Sequence, residues 1–431
     1  MLKGYKYRIY PTNEQEVLLA KHFGSVRWIY NWALELKTKT YEATKKNLSY
    51  YDLSKMLPIL KKTEEFSWLG EVGSASIQQS LQNLDQSFQR FFKGLSEFPQ
   101  QKKKNKSKNC FNVTQDIFIN WNHGRCFIQK FREGIKIKLH RKFVGSIKNA
   151  TVSKNKAGQY FISFVVEDFL DVPKQVVLES MDDVLGIDVG IKDFCITSDA
   201  EVVKNPKHLK KSSRKLARLQ RAHSKKKKGS KNKEKSRKRL AKQHNKVVNQ
   251  RLDHLHKTSS RLVSENQAVA REDLNVKGMM KNHKLAKAIA DASWGEFDRQ
   301  LAYKLKRQGK VYIEIGRFEA SSKTCSQCDY YHSALCLKDC EWECPGCHAV
   351  HDRDVNAAIN IKRWGWEIYL DLRVSQEMRE VGKISMSSRK SVSLRKRKDM
   401  KRKANHIDAE VVSEQKGMTA MSPEVHGENH G

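Results

Sequence analysis

The chain has 431 residues, enough for two or three domains with a sizeable core, and it carries 83 Lys and Arg against 48 Asp and Glu, a formal charge of +35. A surplus of that size calls for a polyanionic partner, nucleic acid ahead of an anionic membrane surface. No window approaches the roughly 20 apolar residues of a spanning helix, and the opening "MLKGYKYRIYPTNEQ" has no signal-peptide apolar region, so the sequence reads as an intracellular protein with no membrane partner.

Residues 2 to 10, "LKGYKYRIY", read as a strand. Thr12 and Gln15 then have capping-box spacing, and Leu19, Phe23, Val26, Tyr30 and Ala33 recur three or four apart, which predicts a helix with one apolar face. A second amphipathic helix falls near residues 74 to 95 with the stripe Ile77, Leu81, Leu84, Phe88 and Phe91, so the two are expected to pack together. "QKKKNKSKNC" is a basic loop, and the short alternating runs from Phe111 to Asp168, separated by Gly, Asn and Lys, predict a small barrel. "DDVLGIDVGIKDFCITSDAEVV" reads as an apolar strand and its return. Residues 205 to 262 read as helical around the insert "SKKKKGSKNKEKSRKR". "NQAVAREDL" and "VYIEIG" are short strands on either side of a helix at "SWGEFDRQLAYKLKRQGK", an alternation that predicts an α/β domain. Beyond about residue 375 the chain is rich in Ser, Lys, Arg and Glu with few apolar residues, which predicts disorder.

Six of the nine cysteines lie between residues 325 and 347. Cys325 and Cys328 form one C-x-x-C, Cys344 and Cys347 a second, with fifteen residues between them. Each pair suits a tight turn presenting two thiolates, and the spacer is long enough for a hairpin that brings the pairs together around one Zn²⁺. Four thiolates leave no open position for water, so the site reads as structural. Cys336 and Cys340, inside the spacer, read as free thiols, Cys110, Cys126 and Cys195 as packing residues, and His332, His348 and His351 as turn or surface residues rather than ligands.

Three acids carry the other chemistry. Asp188 in "VLGIDVG" lies within an apolar strand, where a carboxylate is costly unless it faces a cation or donors. Glu272 ends the strand of "AVAREDL", and Asp354 in "DRDVNAAINI" opens a helix whose Ala357, Ala358 and Ile361 can pack on a sheet. Brought to one point, the three could hold a pair of Mg²⁺ ions about 4 Å apart for in-line attack on a phosphodiester. Composition and spacing alone leave a structural explanation equally open, and Asp193, Asp199, Asp273 and Asp352 compete with the trio.

The ordered motifs "GIDVGIKDF", "EDLNVKGM", "ASWGEFDRQLAYK", "SSKTCSQC", "CPGC" and "DRDVNAAINI", with the opening "YKYRIYPTNEQEVLLAKHFGSVRWIYNWAL", resemble the TnpB (OrfB) proteins of bacterial insertion sequences, compact relatives of the type V CRISPR effectors. The likeness covers nearly residues 1 to 370. It implies an α+β multidomain protein: an N-terminal wedge-like β-barrel over 1–180 with an inserted helical recognition segment at about 12–98, an RNase H-like (RuvC) α/β nuclease domain over 181–370 with a zinc ribbon at about 321–349, and a basic, polar tail over 371–431. It further implies that Asp188, Glu272 and Asp354 hold two catalytic Mg²⁺ ions. Asp354 is preferred to Asp352 because the third acid of the family stands two residues before the Asn of D-x-N-A-A, here Asn356. The family's zinc hairpin directly precedes the last nuclease helix, which accounts for a cysteine cluster spliced onto "DRDVNAA". The chain departs from the family in "FPQQKKK", which lacks an aromatic, in Asp329 and His348 where Gly often follows each knuckle, and in "FEASSKTC", which lacks the common Pro.

The implied function is an RNA-guided DNA endonuclease encoded by a transposable element, a monomeric ribonucleoprotein of the bacterial cytoplasm that acts at the nucleoid. Its partners would be a guide RNA from the transposon end and double-stranded target DNA beside a short flanking motif. Lys102, Lys103, Lys104, Lys225, Lys226, Arg237 and Arg239 are candidate phosphate contacts, although a run of charge is as readily a solvated helix face. Tyr5, Tyr7, Trp28 and Trp32 could stack on bases but fit core packing better. The rivals are a transposase that joins strands with the same acids, and a zinc-ribbon regulator that binds nucleic acid without cutting it.

Overall fold

In the computed structural model β1 (Leu2–Tyr10) buries Tyr7 and Ile9 and exposes Lys6 and Tyr10, the period-two pattern of a strand covered on one face. The structure describes residues 1–380 except Asn105, Phe318 and Leu337, with side chains described to residue 375. Two compact units emerge, one of Met1–Val172 with Ser212–Asn249, the other of Pro173–Lys211 with the described chain from Gln250 onward.

In the first unit β1 is the middle strand of a seven-stranded antiparallel sheet, with β2 (Asn109–Val113), β3 (Phe118–Asn120), β4 (Arg125–Phe127), β5 (Ile135–Lys138), β6 (Ser146–Lys154) and β7 (Tyr160–Glu167), in the order β2-β6-β7-β1-β5-β4-β3. The ladders do not close the expected barrel: among the described residues none joins the edge strands β2 and β3. One core nevertheless serves the whole sheet, packing Phe111 and Val113 with Cys126, Ile135, Tyr7 and Phe164.

The helix α1 (Asn13–Thr44) starts at the expected capping box, Thr12 and Gln15 each accepting from the other's backbone N–H. The second expected helix is α3 (Ser74–Phe92), and Ser80 Oγ donates to Val26 O at 2.6 Å where it meets α1. Ile29, Leu34, Ile77, Leu81 and Leu84 share a core there with Leu53 and Leu57 of α2 (Tyr50–Lys62). That middle helix was not read from sequence, although Ser49 and Asp52 form its capping box. Residues 212–249, assigned from sequence to the second domain, group with the first unit and carry most of α4 (His208–Ser224) and the first half of α5 (Lys231–Glu265).

The second unit is built on β8 (Val184–Val189), β9 (Asp193–Thr197), β10 (Val202–Lys204), β11 (Ala268–Glu272) and β12 (Val311–Ile315), ordered β10-β9-β8-β11-β12. β8, β11 and β12 are parallel, and β9 runs antiparallel to both its neighbours. After β11 come α6 (Val276–Met279), α7 (Ala286–Ala292) and α8 (Trp294–Arg307). Leu185, Ile187 and Val269 pack with Trp294, Phe297 and Leu301 of α8 and Leu262 of α5. Alternation turns Val184, Ala268 and Ala270 to the opposite face, where they meet Ile361 of α9 (Arg353–Glu380). Between β12 and α9 lies the cysteine-rich segment, with the two-stranded ribbon β13 (Glu341–Glu343) and β14 (Val350–Asp352).

Two glycines fix how closely α9 lies on the sheet. A Cβ at Gly186 would stand 2.1 Å from Ala358 O and 2.6 Å from Lys362 N, and one at Gly365 would stand 2.5 Å from Ala270 Cβ. Lys362 pairs with Asp182, just before β8, and Tyr369 Oη accepts from Leu178 N–H, so α9 runs antiparallel to β8 and its N-terminus lies toward the carboxyl ends of the strands. The helix continues through residues 371–380, which the sequence reading placed in the tail; Leu, Arg, Gln, Met and Glu there are good helix formers. The remainder of the expected disordered tail lies outside the described residues.

Candidate active site and cysteine knuckles

The register brings two of the acids together. Ala268 stands beside Val184 and Arg271 beside Ile187, so one residue further along the parallel pair Glu272 stands beside Asp188. Asp188 is two residues beyond Gly186 and Glu272 two beyond Ala270, which turns both side chains to the face that α9 covers. Asp354 is four residues, one helical turn, before the Ala358 that touches Gly186, and that turn leads toward Asp188.

The electrostatics agree with this placement. Asp188 is pushed up to about 7, by burial first and then by the charges of Asp354 and Glu272. Burial also pushes Glu272 up to about 7, opposed by Arg271 and helped by Asp273 and Glu319. Arg271 points to the other face, fully buried and paired with Asp298 of α8. Asp188, Glu272 and Asp354 are half-buried carboxylates, hard oxygen donors suited to Mg²⁺. Their competitors are engaged elsewhere: Asp352 Oδ1 caps α9 by accepting from the N–H groups of Asp354 and Val355, Asp273 pairs with Arg317, Asp193 with Lys204, and Asp199 accepts from Ser198. Asp354 Oδ1 accepts from Arg353 at 2.9 and 3.1 Å.

Among the described residues the cysteine quartet is the group whose ligand atoms all lie within 4.8 Å of one another. Cys325 and Cys347 Sγ are 3.7 Å apart, Cys328 and Cys344 Sγ 3.5 Å. A tetrahedron with Zn–S bonds of about 2.3 Å has edges of about 3.8 Å, so the four sulfurs fit one zinc ion. The knuckles repeat one geometry. Asp329 N–H donates to Cys325 O and His348 N–H to Cys344 O, while Gln327 and Gly346 N–H each reach the first sulfur of their pair at 3.4 Å. Asp329 and His348 take φ 62° and 56°, the left-handed conformation that explains why Gly is common there. The acid trio is not gathered so tightly, and its ligand atoms do not all lie within 4.8 Å of one another.

Several residues here escaped the sequence reading. His351, expected at a turn or on the surface, is buried with Nε2 3.1 Å from Cys325 Sγ. Asn356 and Asn360 are buried under the first knuckle, and Arg353 reaches back to Asp339 O. The i, i+4 spacing of the two asparagines on an otherwise apolar helix face was the available signal.

In the first unit Lys102 is tied down: its backbone N–H donates to Asn31 Oδ1 at 2.7 Å, Asn31 Nδ2 donates to Lys102 O at 2.9 Å, and Nζ lies 3.5 Å from the Tyr30 ring centroid. Burial lowers its pKa. Arg237 pairs with Glu234 at 2.5 Å and donates to Lys156 O at 2.9 Å. Lys103, Lys104, Lys225, Lys226 and Arg239 are exposed. Trp28 stacks on Trp32 and packs on Phe66, and Tyr7 is fully buried.

Family models cover most of the described chain. The family OrfB_IS605, described as "Probable transposase", matches residues 169–283; a helix-turn-helix family of the same proteins matches 1–46, and the "Cas12f1-like, TNB domain" matches 294–361. Residues 1–46 here form β1 and one unbroken helix. A Streptomyces pristinaespiralis protein named "Putative RNA-guided DNA endonuclease" is 40% identical over 361 residues, 83% of this chain and 88% of that protein. "Putative RNA-guided DNA endonuclease InsQ" of Escherichia coli K12 is 29% identical over 376 residues, 84% of this chain and 91% of its own length. The chain belongs to the TnpB (OrfB) family of insertion-sequence proteins. A solved Cas12f1 complex with guide RNA and target DNA aligns over 84% of this chain and 99% of its own at 15% identity with a TM-score of 0.32. Among the described residues no helix is long and apolar enough to cross a membrane.

Proposed function

We propose that the chain is an RNA-guided DNA endonuclease whose cutting site is Asp188, Glu272 and Asp354. The observation that carries this reading is the convergence of three acids, each more than eighty residues from the next in sequence, on one face at the carboxyl ends of β8 and β11 and the N-terminus of α9. The strand order, with the second strand alone reversed, supports an RNase H-like (RuvC) nuclease fold. The names of the two bacterial relatives support the activity, and the charge of +35 supports nucleic acid as partner.

Two Mg²⁺ ions held by the trio would lower the pKa of the attacking water and stabilise the departing 3′ oxygen. Asp188 and Glu272, side by side on adjacent strands, supply a rigid donor edge, and Asp354 closes it from the helix. Arg353 holds Asp354 Oδ1 until a cation competes for it. The exposed lysines and Arg239 grip backbone phosphates while guide pairing reads sequence next to a short flanking motif. Zinc at Cys325, Cys328, Cys344 and Cys347 is structural, and the active species is a monomer bound to a guide RNA from the transposon end, working at the bacterial nucleoid.

The test is to purify the chain from its host, sequence the bound RNA, and challenge the complex with a plasmid library of randomised flanks. Mg²⁺-dependent cuts beside one flank, lost in Asp188→Ala, are expected; no discrete RNA and no cutting would overturn the reading. The "Probable transposase" description of the family keeps one rival in view, and RNA-independent joining of transposon ends would establish it instead.

A further inference from the structure

The first knuckle is fastened to α9 by two buried amides. Asn356 Oδ1 accepts from Ser326 N–H at 2.9 Å, and its Nδ2 donates to Thr324 O at 2.8 Å and Ser321 O at 3.4 Å. One turn later Asn360 Nδ2 donates to the same two carbonyls at 2.6 and 2.9 Å. Both peptide groups flanking Cys325 therefore end on α9, and both asparagines are almost fully buried, at 1% and 0% exposure. The far end of the spacer is fastened as well: Arg353 N–H donates to Cys340 O at 2.8 Å and its guanidinium to Asp339 O at 3.2 Å.

An apolar pair would fill that space without the cost of burying amides, so the polar choice gives a defined register rather than bulk stability. The register it defines includes the third acid. The sheet holds α9 from Ala358 onward, through Gly186, and the turn before it, which carries Asp354 two residues ahead of Asn356, projects past that contact and is held from the ribbon side.

We propose that Asn356 and Asn360 are positioning residues through which zinc capture by the cysteine ribbon sets Asp354 against Asp188 and Glu272, so that the zinc and acid sites of this chain are thermodynamically coupled. The proposal rests on the nuclease reading in one respect, that the acid trio binds divalent cations. Linkage makes the coupling reciprocal: zinc tightens cation binding at the acids, and a cation at the acids tightens zinc.

The experiment uses the full chain with Mn²⁺ as a spectroscopic stand-in for Mg²⁺, its affinity read from the free-ion EPR signal with zinc bound and after a zinc-selective chelator. Zinc is expected to tighten Mn²⁺ binding about tenfold, within the usual range of coupling between sites. In Asn356→Ala and Asn360→Ala that factor is expected to fall below about twofold while zinc is still bound, because the four thiolates are untouched. Ser326→Pro reads the same link from the ribbon and leaves α9 unchanged. Pro345 already holds the equivalent place in the second knuckle, so proline suits the turn, but it removes the N–H that Asn356 accepts. Weakened coupling in Ser326→Pro is expected, because it removes one of the five amide hydrogen bonds to the knuckle, and it decides the matter if an alanine variant melts early. Equal Mn²⁺ affinity with and without zinc in the unaltered chain, or full coupling in Ser326→Pro, would overturn the proposal. Mn²⁺ binding that survives Asp188→Ala would overturn the nuclease reading with it, whereas binding lost in Asp188→Ala but still fully coupled in Ser326→Pro would overturn the positioning role alone.

Discussion

The four sulfurs and the three carboxylates are two ligand sets on one unit, assembled in opposite ways. The sulfurs come from two near-identical turns within 23 residues, and within each turn a backbone N–H reaches the first sulfur of its own pair. The acids come from two strands and a helix end, and no local segment places any of them; strand register, the Gly186 contact and the ribbon do so together. A locally specified site can form as soon as its hairpin does, while a non-local one needs the whole sheet. The charges differ in the same sense. Sulfurs 3.5 and 3.7 Å apart are close to zinc spacing, whereas among the carboxylates burial first, and then the charges of Asp354 and Glu272, push Asp188 up to about 7, and Arg353 holds Asp354.

The largest expected effect breaks the local site. Cys344→Ala should abolish zinc binding, a loss on the order of 10 kcal/mol of apparent metal affinity, measured as bound zinc per chain, and the knuckle N–H groups of Gln327 and Gly346 should then exchange freely. Asp188→Ala breaks the other site alone: cleavage should fall at least about a thousandfold, on the order of 4 kcal/mol in barrier, in a guided plasmid assay, while zinc content stays unchanged. Cleavage that survived would detach the acids from the chemistry.

Smaller effects sharpen the contrast. Gly186→Ala pushes a methyl against the α9 backbone and should cost about 1–3 kcal/mol in denaturant unfolding, with weaker cation binding at the acids and still one zinc bound per chain. For pH, Asp188 and Glu272 are both raised to about 7 in the folded chain. Between about 4 and 7 the metal-free folded chain therefore binds protons that the unfolded chain does not, so it should gain stability as pH falls through that window and lose it as pH rises. Mg²⁺ competes with those protons, so its rise in Tm should be greater at pH 8 than at pH 6, a difference absent in Asp188→Ala. Arg239→Ala should reduce the salt dependence of nucleic-acid binding by about one unit of log–log slope, whereas Lys102→Ala, removing a side chain already held over Tyr30, should leave that slope unchanged and disturb the loop instead.

By itself the sequence determined whatever a short window encodes. Paired C-x-x-C spacing specified the knuckles, short strand-like runs specified β1 and the apolar β8, and the Thr12–Gln15 box specified where α1 begins. Family motifs, read in order, singled out Asp188, Glu272 and Asp354, which spacing alone left level with Asp352. Only the tertiary structure separated the two acids of "DRD": Asp352 caps the helix, and Asp354, paired with Arg353, lies on the turn that leads toward Asp188. It also decided that Lys102 Nζ lies over the Tyr30 ring, that His351 lies against a sulfur, and that among the described residues no ladder closes the predicted barrel. The physical reason is the same in each case. Turns and caps are satisfied by backbone groups a few residues away, but the partner of a buried charge or amide is chosen by packing between segments far apart in the chain, and no local pattern carries that choice.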